Sequence, residues 1–456
     1  MPGAPKPRCR KSAASSTCHV ETRLIYANSV IPAHAGIQLI NTLDPRNRGD
    51  DGTIFTVQIM QTHAHEARTL LLGRALRAFV DGYVAILLPV YLLALGFGAW
   101  EVGLLSTATL LGSALVTLAV GAWGHRFPHR RLLLAAALLM AATGMAFANM
   151  TAFWPLLLVA FVGTLNPSSG DVSVFLPLEH ARLANAAEGD ARTRLFARYS
   201  FIGALCAATG ALAAAVPDWL VTLEFERLTA LRLMFGIYGI TGLSVWWLYR
   251  RLPEPPPHEQ PSAPAPLTES RGIVIRLAAL FSVDAFAGGL VLNSLLSLWL
   301  FERFGVSVAA AGAFFFWAGL LTAASQLAAP WVAKKIGLLN TMVFTHIPAS
   351  LCLILAALAP SLPLALGLLL LRAFLSQMDV PTRAAFVMAV VTPPERAAAA
   401  SFTAVPRSLA AALSPSLGGA LFAAGLLAAP LVLCGVLKIG YDLALLTAFK
   451  RHAAAK

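Results

Sequence analysis

Asp81, Asp171, Asp284 and Asp379 each stand inside a long apolar run of this chain. A carboxylate placed in hydrocarbon costs roughly 3 kcal/mol on insertion scales, so it normally faces a cavity or a partner. In such a place it can take up and release a proton, hold a cation, or neutralise a buried base. Arg372 could clamp an anion or serve as counter-ion to Asp379, and Gln377, Asn293 and Tyr83 add hydrogen-bonding groups. Asp81 follows Arg77 at the i+4 spacing of a helical ion pair, which leaves a structural role open for it. The stretch Asn166-Pro-Ser-Ser-Gly-Asp171 should break a helix and free its carbonyls. At membrane depth that is tolerated only where the backbone is buried in protein or lines a cavity. Broken helices of this kind flank the sites of transporters.

Other chemistries find less support. Ser169-Gly-Asp171 is similar to the aspartyl motif of intramembrane proteases, but Ser168 occupies the place of the motif's first glycine, and Tyr441-Asp442 comes only far downstream. There is no H-E-x-x-H pair and no G-x-x-x-x-G-K-[ST] loop. The five cysteines are scattered without metal spacing or a disulfide framework. No cofactor, no metal and no enzymatic activity are expected.

The elements that must position these residues are membrane spans. Hydrophobic residues make up 58% of the chain and charged residues only 12%, about half the charged share of a soluble domain. Too few charges remain to cover a soluble particle of this length. The charges also cluster between apolar runs long enough to cross a hydrocarbon core, which takes about 20 residues. Twelve such runs are read: 71–96, 102–124, 131–150, 153–181, 196–216, 229–250, 273–300, 308–333, 338–359, 362–391, 398–424 and 427–449. The fourth and tenth are interrupted by Pro, Gly or Ser.

The net charge of +12 is read as topology rather than as nucleic-acid binding, because no basic stripe interleaves with aromatics. One set of connections carries Arg126, Arg130 and Arg131, then Arg182, Arg192 and Arg194, then Arg250, Arg251 and Arg271, then Lys334, Lys335 and Arg396. The other set offers only Arg227, Arg232 and Arg303. The basic set, with both termini, is expected on the cytoplasmic side of a bacterial inner membrane. Residues 251–271 are Pro-rich, with seven prolines between Leu252 and Ser270, and read as a linker between bundles at 60–250 and 272–456. Residues 1–59 are polar and aperiodic. Ser29 to Gln38 resembles a translated intergenic repeat, so Met60 is an alternative start; a disordered tail is the other reading.

The halves align at an offset of about 209. Gly103 falls on Gly312, Arg198 on Arg407, Gly210-Ala-Leu on Gly419-Ala-Leu, and Asp171 on Asp379 with one residue of slip. Six spans in each half give the copies the same orientation, a parallel repeat about the membrane normal.

With this repeat the chain resembles the major facilitator superfamily over about residues 70 to 450. The local motif is Gly121-Ala-Trp-Gly-His-Arg-Phe-Pro-His-Arg-Arg131. Gly121, Gly124, Arg126 and Arg130 fit the family pattern, while His125 replaces its acidic residue and Pro128 its second glycine. The resemblance implies an all-α membrane fold of twelve helices in two six-helix bundles. It also implies a central cavity lined by spans one, four, seven and ten, which carry one aspartate each. A monomeric secondary transporter of a small solute is expected, working by alternating access and coupled to protons, with efflux favoured over uptake or lipid flipping. Arg126 and Arg130 are gating candidates. Arg198 and Arg407 should reach the depth of Asp171 and Asp379 on neighbouring antiparallel helices at about 1.5 Å per residue, which predicts that at least one of the pairs Asp171–Arg198 and Asp379–Arg407 makes contact, or that the pairs cross between the halves in one gated state.

Overall fold

The computed structural model describes residues 51–168, 174–186, 189–253, 267–392 and 395–454. Among the described residues every regular element is a helix. The first half contains α1 (Asp51–Ala94), α2 (Ala99–Trp123), α3 (His129–Asn149), α4a (Phe153–Val162), α4b (Phe175–Ala186), α5 (Gly189–Leu212) and α6 (Arg227–Tyr249). The second contains α7a (Arg271–Gly289), α7b (Asn293–Phe304), α8 (Val308–Ile336), α9 (Leu338–Leu358), α10a (Leu362–Ser376), α10b (Asp379–Val390), α11 (Arg396–Ala423) and α12 (Ala429–Ala454). Ten spans are long and apolar enough to cross a bilayer, and α4a is a shorter apolar helix. With α4a/α4b counted as one crossing and α11 as another, twelve helices cross. α1 begins at Asp51, upstream of the expected boundary at Met60; most of the 1–59 segment and much of the linker lie outside the described residues.

Local sequence explains the ends and breaks. Gly98 receives the Glu101 carboxylate on its backbone N–H at 2.9 Å and starts α2. Gly305, at φ +61°, closes α7b in the left-handed conformation that a glycine adopts without a Cβ clash. Pro167, between α4a and α4b, has no N–H to continue a helix. α7 breaks at Leu290–Leu292 and α10 at Gln377–Met378. The breaks of α4 and α7 meet across the halves: the Ser294 N–H donates to the Pro167 carbonyl at 3.1 Å.

The packing repeats as the sequence does. α3 packs on α6 as α9 packs on α12, and α2 packs on α4a as α8 packs on α10a. Between halves, α2 packs on α11 and α5 on α8. The apolar core is divided unequally. Toward the face opposite the basic connections, both halves share one core that includes Tyr91, Leu105, Ala211, Trp299, Phe314 and Leu431. Toward the basic face there are two separate cores, one around Leu133 and Phe175 and one around Phe281 and Phe386. Burial therefore joins the halves at one end only, and a cavity opens between them at the other.

Candidate functional site

The cavity has a volume of about 960 Å³, large enough for a drug-sized solute. Its two walls differ in chemistry. The first half contributes α2 and α4 through the apolar Leu110, Ala114, Leu118, Leu176 and Pro177 and the polar Ser113, Thr117, Ser168 and His180. The second half contributes all the acids and full cations: Asp284, Asp379, Arg372, Arg383, Arg407 and Lys438.

Two of these acids anchor a buried network. Asp284 of α7a accepts from Arg383 of α10b at 2.9 Å and from Lys438 of α12 at 2.5 Å. Arg383 also binds Asp379, one helical turn before it. The Lys438 Nζ lies 3.4 Å from His346 Nε2 of α9, whose Nδ1 faces Asp442 at 3.0 Å. All six residues except Lys438 are classed as buried, and Lys438 is nearly so. Four helices thus meet through one chain of charge, Asp379–Arg383–Asp284–Lys438–His346–Asp442. A buried charge with its partner removed is penalised by several kcal/mol, and here each charge has one. The Nε and Nη1 of Arg383 nevertheless have no hydrogen-bond partner among the described residues, so part of its donor capacity is unspent there.

Two cations stand outside the network. Arg372 of α10a and Arg407 of α11 line the cavity, and among the described residues neither makes a hydrogen bond or ion pair. Arg407 is exposed, but to the space between the halves.

Of the predicted site residues, Asp284, Asp379, Arg372, Gln377 and Arg407 converge on the cavity. Asp171 lies outside the described residues, and so does its pairing with Arg198, which is exposed on α5. The pair Asp379–Arg407 is not formed: Asp379 is held by Arg383, which is closer along its own helix. Asp81 is half-buried in α1 and is not in the cavity lining. Its neighbour Arg77 binds Glu179 of α4b at 2.6 Å and the Tyr249 hydroxyl at 2.7 Å. Asn293 begins α7b, beside the contact of Ser294 with Pro167 and away from the lining. Tyr83 packs in the first half and donates to the Met234 carbonyl at 3.0 Å. Arg130 donates to the Arg250 carbonyl, tying the connection after α2 to the end of α6, while Arg126 is exposed. His346 and Lys438 escaped the sequence reading and Asp442 entered it only in the protease-like Tyr441-Asp442 pair, although Lys438 and Asp442 are intramembrane charges one turn apart, the signal used for the other acids. No group of metal-ligating side chains occurs among the described residues.

A twelve-helix bundle with two repeated halves and a charged cavity between them is the architecture of a membrane transporter. The model of the Major Facilitator Superfamily matches residues 70–375, and the chain belongs to that family. It is 22% identical over 410 residues to an uncharacterized membrane protein of Saccharomyces cerevisiae, covering 82% of this chain and 92% of that one. Its fold is similar to that of a bacterial homolog of the human lysosomal transporter Spinster in an inward-facing, unoccupied conformation. That match has a TM-score of 0.66 at 17% identity and covers 85% of this chain and 98% of the other. The nucleoside transporter NupG is similar to the same degree, with a TM-score of 0.66 at 16% identity over 84% of this chain and 99% of that one.

Proposed function

We propose that this protein is a proton-coupled secondary transporter that moves a small solute by alternating access. The observation that carries this reading is the placement of the Asp284–Lys438–His346–Asp442 chain in the wall of a cavity open at one end only. Histidine changes charge near neutral pH. A proton taken up on His346 would turn its contacts with Asp442, at 3.0 Å, and Asp284, at 3.9 Å, into ion pairs and set it against Lys438, and so alter the relative stability of the two gated states. The basic connections support a cytoplasmic placement of the open end, so this conformation corresponds to an inward-open state. The likeness to a transporter caught facing inward supports that assignment.

The expectation of efflux rests on four acids able to trade a cation for protons; Asp171 lies outside the described residues, and the other three do not carry it. Asp284 and Asp379 are already occupied by Arg383 and Lys438, and Asp81 is not at the cavity. The test is solute-induced proton movement in proteoliposomes. Wild-type protein should acidify or alkalinise the lumen in the presence of substrate, and Asp284→Asn should abolish this while still inserting. Unchanged proton movement in Asp284→Asn would refute the coupling role.

A further inference from the structure

The two cavity walls, taken with the two unpaired arginines, specify a class of substrate. Asp284 and Asp379 are matched by Arg383 and Lys438, while Asp442, fully buried and not part of the lining, faces His346. Arg372 and Arg407 remain as surplus positive charge facing the cavity. Opposite them α2 and α4 present a more apolar wall without full charges, Leu110, Ala114, Leu118, Leu176 and Pro177 interspersed with Ser113, Thr117, Ser168 and His180. A cation would be repelled by the first wall. A small inorganic anion would leave the second wall unfilled. We propose that the solute is an amphiphilic organic anion, its carboxylate, sulfonate or phosphate head between Arg372 and Arg407 and its apolar body against α2 and α4.

This inference rests on the transport reading and adds a direction to it. Protonation of the His346 cluster makes the second wall more positive, so proton and anion favour each other's binding. By linkage the same coupling acts in both senses. Co-binding is the signature of symport, and an inward proton gradient would then drive uptake rather than efflux.

The experiment is calorimetric titration of the full chain in nanodiscs of zwitterionic lipid. The probes are naphthalene-2-sulfonate, methanesulfonate and 2-naphthylmethylammonium, which share body or head but differ in charge and apolar area. Naphthalene-2-sulfonate is expected to bind at least tenfold more tightly than either of the others, about 1.4 kcal/mol, and more tightly at pH 6 than at pH 8. Arg372→Gln and Arg407→Gln should each weaken it roughly tenfold, while Arg372→Lys should restore most of the loss. Leu118→Gln, which removes apolar surface without adding charge, should weaken the naphthyl compound more than methanesulfonate, a pattern that misfolding would not produce. Equal or tighter binding of the ammonium compound would overturn the proposal. So would absence of binding by both sulfonates, unchanged affinity in both Arg→Gln variants, or displacement of the sulfonate by anionic phospholipid alone. No gradient is present in this measurement. Protein that binds the sulfonate yet moves no protons with it would therefore overturn the coupling reading and leave the substrate class standing.

Discussion

Gly103 of α2 lies so close to Gly419 of α11 that a Cβ on either would sit 2.8 Å from the other's Cα. The repeat mate of Gly103 is Gly312 of α8, and a Cβ there would come within 2.6 Å of the Ala211 carbonyl of α5. Both contacts join the two halves, and both lie near the helix ends opposite the basic face. Glycine is required there for close approach rather than for a turn. These two symmetric seams are where the shared core closes the cavity.

Bulk at the first seam should therefore open it. Overpacking of this kind costs about 1–3 kcal/mol, enough to shift a two-state equilibrium by roughly tenfold. In a background without native cysteines, Gly103→Leu is expected to slow labelling of Ser408→Cys from the basic face by an impermeant maleimide. It should speed labelling from the other face. Unaltered labelling from both sides would show that the seam is not a gate.

The Asp284 network should behave as a unit. Asp284→Asn strands Lys438 in a buried site and leaves Arg383 with Asp379 alone, a loss of about 3–5 kcal/mol for pairs of this kind. Lys438→Met added to Asp284→Asn removes one stranded charge. The double variant should therefore melt at a higher temperature than Asp284→Asn alone, while both remain inactive in gradient-driven transport. A double variant no more stable than the single one would mean that Lys438 and Asp284 do not stabilise one another.

Histidine is the side-chain type that most readily changes charge at physiological pH, and His346 is the network's one histidine. His346→Gln keeps a hydrogen-bonding group facing Asp442 but cannot become a cation. Transport by this variant should lose most of its pH dependence between about pH 6 and pH 8. The measurement is initial uptake against lumen and bath pH clamped at equal values. A wild-type pH profile in the variant would place the titrating group elsewhere.

Glu395, in the connection before α11, receives the backbone N–H groups of Thr268, Glu269 and Ser270 and the Thr268 hydroxyl. These hydrogen bonds, the backbone N–H of Thr268 first, hold its carboxyl below the usual carboxylate range. A depressed folded pKa contributes stability that is full above the unfolded value of about 4.3 and is lost as pH falls toward the folded value. Glu395→Gln should therefore lower the melting temperature at pH 7, and the gap to wild type should narrow as the pH is taken below about 4. A gap that stays constant down to pH 3 would show that the carboxylate's charge has no part in the clasp.

The fold was legible in the sequence because membrane insertion reads composition and local order. Runs such as 308–333 and 338–359 are apolar enough to cross whatever their neighbours do, and α8 and α9 occupy those places. The offset that puts Gly103 on Gly312 is likewise a property of the chain, and it marked both seams without showing that they touch. Intramembrane charge pointed to Asp284 and Asp379 for a local reason, since desolvation penalises a lone carboxylate wherever it stands. Partnership is not local. Depth matching made Arg407 the partner of Asp379, but Arg383 reaches it from the next turn of the same helix and leaves Arg407 facing the cavity. Asp284 draws Lys438 from a helix 154 positions away, and His346 stood in an apolar run as a single unremarkable residue. Only the packing of α7a, α9, α10b and α12 brings these side chains within hydrogen-bonding distance. Their electrostatic energy depends on separations of a few ångströms, which hydropathy along the chain does not encode.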